Sequence, residues 1–187
     1  MSDISILDTL HEIQEGRNLD KYIKNENSEV RVAIARHGHC LDVLIHDKDP
    51  FVRASVARQR YGLDILIHDK DPYVRETVAK QGYGLNVLIK AKSPWILAAV
   101  ANQGYGLDIL IHDKDEFVRL EVAKQGYGLD ILVNDKKPVI RNYAIEQLKL
   151  NKQIQNETFE EKLDRLEREA QSESHNTNLE LTKKQER

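Results

Sequence analysis

The chain carries one cysteine, Cys40, so it forms no internal disulfide and nothing in it points to an oxidising compartment. No stretch approaches the ~18 consecutive apolar residues of a membrane-spanning helix, which argues against a membrane span. The opening MSDISILDTLHE is acidic and lacks the basic and apolar regions of a signal peptide. A cytoplasmic location is the expectation. Charge of one sign is scarce as well: the net charge is −3, and Asn27 to Leu148 hold 17 Lys/Arg against 16 Asp/Glu. That balance gives no reason to require a nucleic acid as partner. A Walker-type phosphate loop is missing, and no nucleophile and base stand out from the background. The chain is therefore expected not to be an enzyme, with no catalytic residue and no cofactor.

What is present is a period. The stretch DPYVRETVAKQGYGLNVLIKAK, Asp71 to Lys92, has near copies before and after it in the same phase. Val30, Val52, Val74, Ile96, Val118 and Ile140 form one column with a spacing of 22, and Leu19, Leu41, Leu63, Leu85, Leu107 and Leu129 form another. Within the unit, Asp71 and Pro72 start a helix, because the carboxylate accepts from orphan backbone N–H groups and proline lacks one at no cost. Val74, Val78 and Ala79 put one stripe on a core. Gly82 ends the helix by taking up the left-handed conformation, and Gly84 frees the backbone again before Leu85, Leu88 and Ile89.

The unit is thus read as a first helix of about nine or ten residues and a second of about six. Helices shorter than ~12 residues are marginal alone, so their stability has to come from stacking on neighbouring units. The expected fold is all-α: a right-handed α-solenoid of short two-helix repeats with a 22-residue period. Residues 1–26 are assigned to an N-terminal capping helix, with Ile6, Leu10 and Ile13 on one face, and a half repeat. The repeat array covers 27–150, and 151–170 form an amphipathic helix with Phe159, Leu163 and Leu166 aligned. The polar 171–187 are read as disordered.

The recurring D-x-D-P-x-V-R-x-x-V-A, then a turn and L-x-x-L, resembles the leucine-rich repeat variant family, which belongs with HEAT-like α-solenoids. Asp69, Asp71, Pro72, Val74, Arg75, Val78, Ala79, Leu85 and Leu88 carry the match. The unit is slightly short, and Gly-Tyr-Gly stands where such repeats commonly place proline. The resemblance implies a right-handed superhelix and a binding role, and it supplies no catalytic residues. Some relatives hold an iron–sulfur cluster, which a chain with one cysteine does not support.

Several columns are candidates for function. Asp47, Asp69, Asp113 and Asp135 precede Arg53, Arg75, Arg119 and Arg141 by six residues, and Ala91 and Leu97 replace both members in the fourth unit. Their joint loss suggests that the two columns form ion pairs. Asn25 with Arg31 is an exception to that rule. Phe51, Tyr73, Trp95 and Phe117 begin successive first helices, and a partly exposed aromatic row would be a recognition surface. With Leu97 they are the expected contact centre for a protein or peptide partner. The fourth unit stands out, having the only tryptophan and Ala98 and Ala99 in place of Glu76 and Thr77.

Tyr61, Tyr83, Tyr105 and Tyr127 are read as packing between units. His46, His68 and His112 recur too far apart to share a metal, and His37, His39, Cys40 and His46 match no compact zinc pattern. Two basic rows offer an alternative function, nucleic-acid binding, through Lys70, Lys80, Lys92 and Lys114, although interleaved aspartates such as Asp64 and Asp108 oppose it. A third possibility is self-assembly as a homo-oligomer through the C-terminal helix.

Overall fold

The computed structural model describes residues 6–156 together with Glu161 and Arg168. The face of Phe159, Leu163 and Leu166 and the segment 171–187 lie outside the described residues. Within them the chain is all-helical, with thirteen helices and no strand. Seven are the first helices of the units: α1 (Ile6–Gln14), α3 (Ser28–Arg36), α5 (Pro50–Arg58), α7 (Pro72–Lys80), α9 (Pro94–Asn102), α11 (Glu116–Lys124) and α13 (Pro138–Asn156). Between them run single-turn helices: α2 (Leu19–Tyr22), α4 (Leu41–Leu44), α6 (Leu63–Leu66), α8 (Leu85–Leu88), α10 (Leu107–Leu110) and α12 (Leu129–Leu132). Each long helix packs on the next long helix in the chain, from α1 against α3 to α11 against α13. The second helix of each unit is four residues long, shorter than the six expected from the period.

Local chemistry sets these boundaries. Asn27, Asp49, Asp71 and Asp115 each accept the N–H of the residue two further on, at 2.8–2.9 Å. At the other end of α7 the Gly82 N–H reaches Ala79 O at 2.9 Å and the Tyr83 N–H reaches Val78 O at 3.4 Å. This is the paired bond of a Schellman stop, with Gly82 at φ +72°. Gly84, at φ +62°, then starts α8.

The valine and isoleucine column from Val30 to Ile140 is fully buried. From the second helices the deep column is Leu44, Leu66, Leu88, Leu110 and Leu132, whereas Leu19, Leu41, Leu85 and Leu107 are only half-buried against it. α1 packs on α3 through Ile13, while Ile6 and Leu7 remain exposed. The expected boundary at residue 150 falls inside a helix, because α13 runs unbroken to Asn156. Leu148 and Leu150 stand where earlier units have their two turn glycines, so nothing in that segment favours a left-handed stop.

Candidate functional site

The arginine and aspartate columns do form ion pairs, in a ladder that links successive units. Arg53 and Arg119 do not bond the carboxylate six residues before them, and Arg31 has Asn25 at that place; each of the three forks onto the aspartate 16 residues after it. Arg53 Nε and Nη2 donate to Asp69 Oδ2 and Oδ1 at 2.6 and 2.8 Å, and Arg31 to Asp47 and Arg119 to Asp135 repeat the geometry. The third nitrogen, Nη1, donates to the backbone carbonyls of Asp47 and Lys48 at 2.7 and 3.2 Å, so Arg53 ties the turn before its helix to the turn after the next one. Asn25 with Arg31 is then no exception, since Arg31 has its partner in Asp47.

These pairs are buried, with the three arginines only 4–5% exposed. The carboxyls of Asp47 and Asp69 are displaced upward by burial and downward, with the greater total effect, by the guanidinium fork and a turn N–H, so both sit below the ordinary value. At Asp135 the Arg119 fork is the largest influence and also lowers it. The fork raises Arg31, Arg53 and Arg119 in turn.

The fourth unit breaks this ladder at two separate rungs. Ala91 takes the carboxylate from Arg75, and Leu97 takes the guanidinium from Asp113. Leu97 is 8% exposed and belongs to the core, in the column where the arginines are buried. It is therefore withdrawn from the contact surface proposed for it: a side chain facing the core cannot meet a partner.

The aromatic row does reach the surface. Trp95 is 62% exposed and Phe51 59%, with Tyr73 and Phe117 half-buried. They meet in two tilted pairs, Phe51 with Tyr73 at 5.2 Å between ring centroids and Trp95 with Phe117 at 4.9 Å. Arg58 donates to the Tyr73 hydroxyl and lies over its ring at 5.7 Å. Beside the second pair lies a cleft of about 430 Å³ lined by Trp95, Phe117, Ala98 and Ala99, with Glu76, Lys80, Asn102, Gln103 and Glu121 around them. Its charges are already matched: Lys80 pairs with Glu76 at 2.6 Å and Lys124 with Glu121 at 2.7 Å. The small side chains at Ala98 and Ala99 leave that space open and are themselves buried.

The remaining columns separate cleanly. Lys70, Lys92 and Lys114 are exposed, whereas Lys80 is engaged with Glu76. His46, His68 and His112 are exposed on the turns. Tyr61, Tyr83, Tyr105 and Tyr127 are 40–43% exposed, more open than packing between units implied. His37 and His46 do not join His39 and Cys40; Asp20 does, from the preceding half repeat, with one donor atom of each of the three within 4.8 Å of the others. Asp20 accepts from the His39 ring at 2.8 Å and from Cys40 Sγ at 3.5 Å, and burial is the first cause that pushes the Cys40 thiol up. Asp20 is the shared acceptor of these two side chains, so the trio is read as a hydrogen-bonded turn. No family model, no curated protein and no solved structure matches the chain.

Proposed function

We propose that the helical array is an α-solenoid of the leucine-rich repeat variant kind and that it acts as a non-enzymatic scaffold for a protein or peptide partner. The observation that carries this reading is the exposed Trp95, paired with Phe117 beside a cleft of about 430 Å³ whose lining includes Ala98 and Ala99. An exposed tryptophan costs solvation and contributes nothing to the core, while tryptophan in a concave, apolar setting is a frequent centre of binding energy. The ion pairs around the cleft leave it without an unmatched charge, which suits a neutral apolar side chain of the partner as the anchor. The mechanism is presentation: stacked helices hold the aromatic pair in place, so little conformational entropy is lost on association.

Phage display of random peptides on the full chain, counter-selected against Trp95→Ala, tests this reading. Because Trp95 is exposed, the substitution leaves the core intact, whereas a Leu97 change damages it. Peptides that share an apolar anchor and bind the parent at least about tenfold more tightly than the variant, ~1.4 kcal/mol, are the expected result. A peptide set that binds both proteins equally, or whose binding falls steeply with salt and depends on Lys70, Lys92 and Lys114, would favour the lysine rows over the cleft.

A further inference from the structure

The fourth unit changes chemistry a second time, at its closing turn. Where neighbouring units read Ile-His-Asp-Lys-Asp at 67–71 and again at 111–115, residues 89–93 read Ile-Lys-Ala-Lys-Ser. One lysine against two aspartates becomes two lysines with no acid, and all three substitutions move the charge in the same direction. The arginine that faces this turn is Arg75. Its Nη1 donates to the carbonyls of Asp69 and Lys70 at 2.5 and 3.1 Å, the anchoring that Arg31, Arg53 and Arg119 also have. The guanidinium is thus held as in the intact rungs, but Ala91 offers Nε and Nη2 no carboxylate. No buried side-chain nitrogen or oxygen among the described residues lacks a partner, so those two nitrogens are open to solvent.

Arg75, Lys90, Ala91 and Lys92 line one open cleft of about 460 Å³, together with His68 and Asp69. Asp69 is already bonded to Arg53 at 2.6 and 2.8 Å, so it does not satisfy Arg75. The corresponding cleft one repeat pair later contains Arg119 with its own Asp135 in place.

We propose that this turn is a carboxylate-binding site, in which a Glu or Asp side chain of an acidic protein segment completes the broken rung. The fork is the argument: in three sister rungs Nε and Nη2 hold the two oxygens of one planar carboxylate at 2.6–2.9 Å. Arg75 presents the same two donors from the same anchor, and Lys90 and Lys92 attract the acidic chain that delivers the group. The site shares no lining residue with the Trp95 cleft and does not rest on the reading of that cleft.

The test uses the full chain and a fluorescein-labelled Gly-(Glu)6-Gly peptide, followed by anisotropy at low salt. Ala91→Asp supplies the missing carboxylate in cis, as in the other units, and is expected to weaken the peptide about tenfold or more. Ser93→Asp adds the same charge two residues on, where the sister aspartates Asp49 and Asp71 cap the next helix instead of bonding the fork, and is expected to weaken it by less than about fivefold. Lys90→His, the residue of neighbouring units, gives an intermediate loss, and Trp95→Ala none. Far-UV circular dichroism confirms that each variant folds. Equal losses with Ala91→Asp and Ser93→Asp would reduce the effect to general charge and overturn the site, as would absence of saturable binding by the parent. Inorganic phosphate displacing the peptide where equal ionic strength of acetate does not would assign the cleft to phosphate and overturn the carboxylate.

Discussion

At the scale of single residues, the turn glycines are not interchangeable. A Cβ on Gly84 would lie 1.9 Å from Ile67 Cδ1, whereas one on Gly126 would meet nothing within 4 Å, although both sit at positive φ, +62° and +72°. Gly126→Ala should therefore cost only the left-handed strain of about 1–2 kcal/mol, and Gly84→Ala that plus about 1–3 kcal/mol for forcing Ile67 aside. Urea unfolding of the two variants checks the order, and equal losses would contradict it. The ladder gives a second prediction. Asp69→Ala strands the buried Arg53 and frees the Asp71 N–H, so stability should fall by about 3–5 kcal/mol. The same carboxylates set the pH dependence. Asp47, Asp69 and Asp135 have pKa values lowered by folding, so the folded chain binds fewer protons than the unfolded one. Their contribution is complete above the ordinary aspartate value of ~3.9 and is lost as pH falls through the depressed folded values. Denaturant midpoints should drop between about pH 5 and pH 2, and a flat profile there would contradict the ladder.

Among the elements, α9 is a first helix that starts without a side-chain cap. Ser93 makes no side-chain cap bond, while Asp49, Asp71 and Asp115 each cap their helix. Ser93→Asp should raise stability by about 0.5–2 kcal/mol, read as a shift of the unfolding midpoint at constant slope. The helix starts, the glycine stops and the buried Val30 to Ile140 column were legible from one sequence, because caps and the 22-residue spacing act locally. The single-turn second helices and the run of α13 past residue 150 were not, although Leu148 and Leu150 carried the signal for the second. Pairing between units was hidden for a geometric reason. A column of aspartates every 22 residues lies six before one arginine and 16 after another, and sequence spacing alone does not choose between the two. Leu97 was misplaced for the same reason, since an arginine column gives no hint that its stem and head are buried. Asp20 escaped notice because it reaches His39 and Cys40 from the unit before.

The whole molecule is a set of nearly equal units in which one departs from the rest. Repetition makes the common features structural, and the fourth unit concentrates the departures: Trp95, Leu97, Ala98 and Ala99 on α9, with Lys90, Ala91 and Ser93 at the turn before it. The ladder is interrupted on both sides of that helix, at Arg75 and Asp113, so two ion pairs of the neighbours' pattern have been lost there. A binding role gives that loss a reason, and the most direct measurement is the emission of the single tryptophan. Trp95 is 62% exposed, so the free chain should emit as solvated indole, and a peptide selected on the parent should shift the emission to the blue and quench poorly with iodide. Saturable peptide binding that leaves Trp95 emission and iodide access unchanged would contradict the placement of the contact centre on the fourth unit.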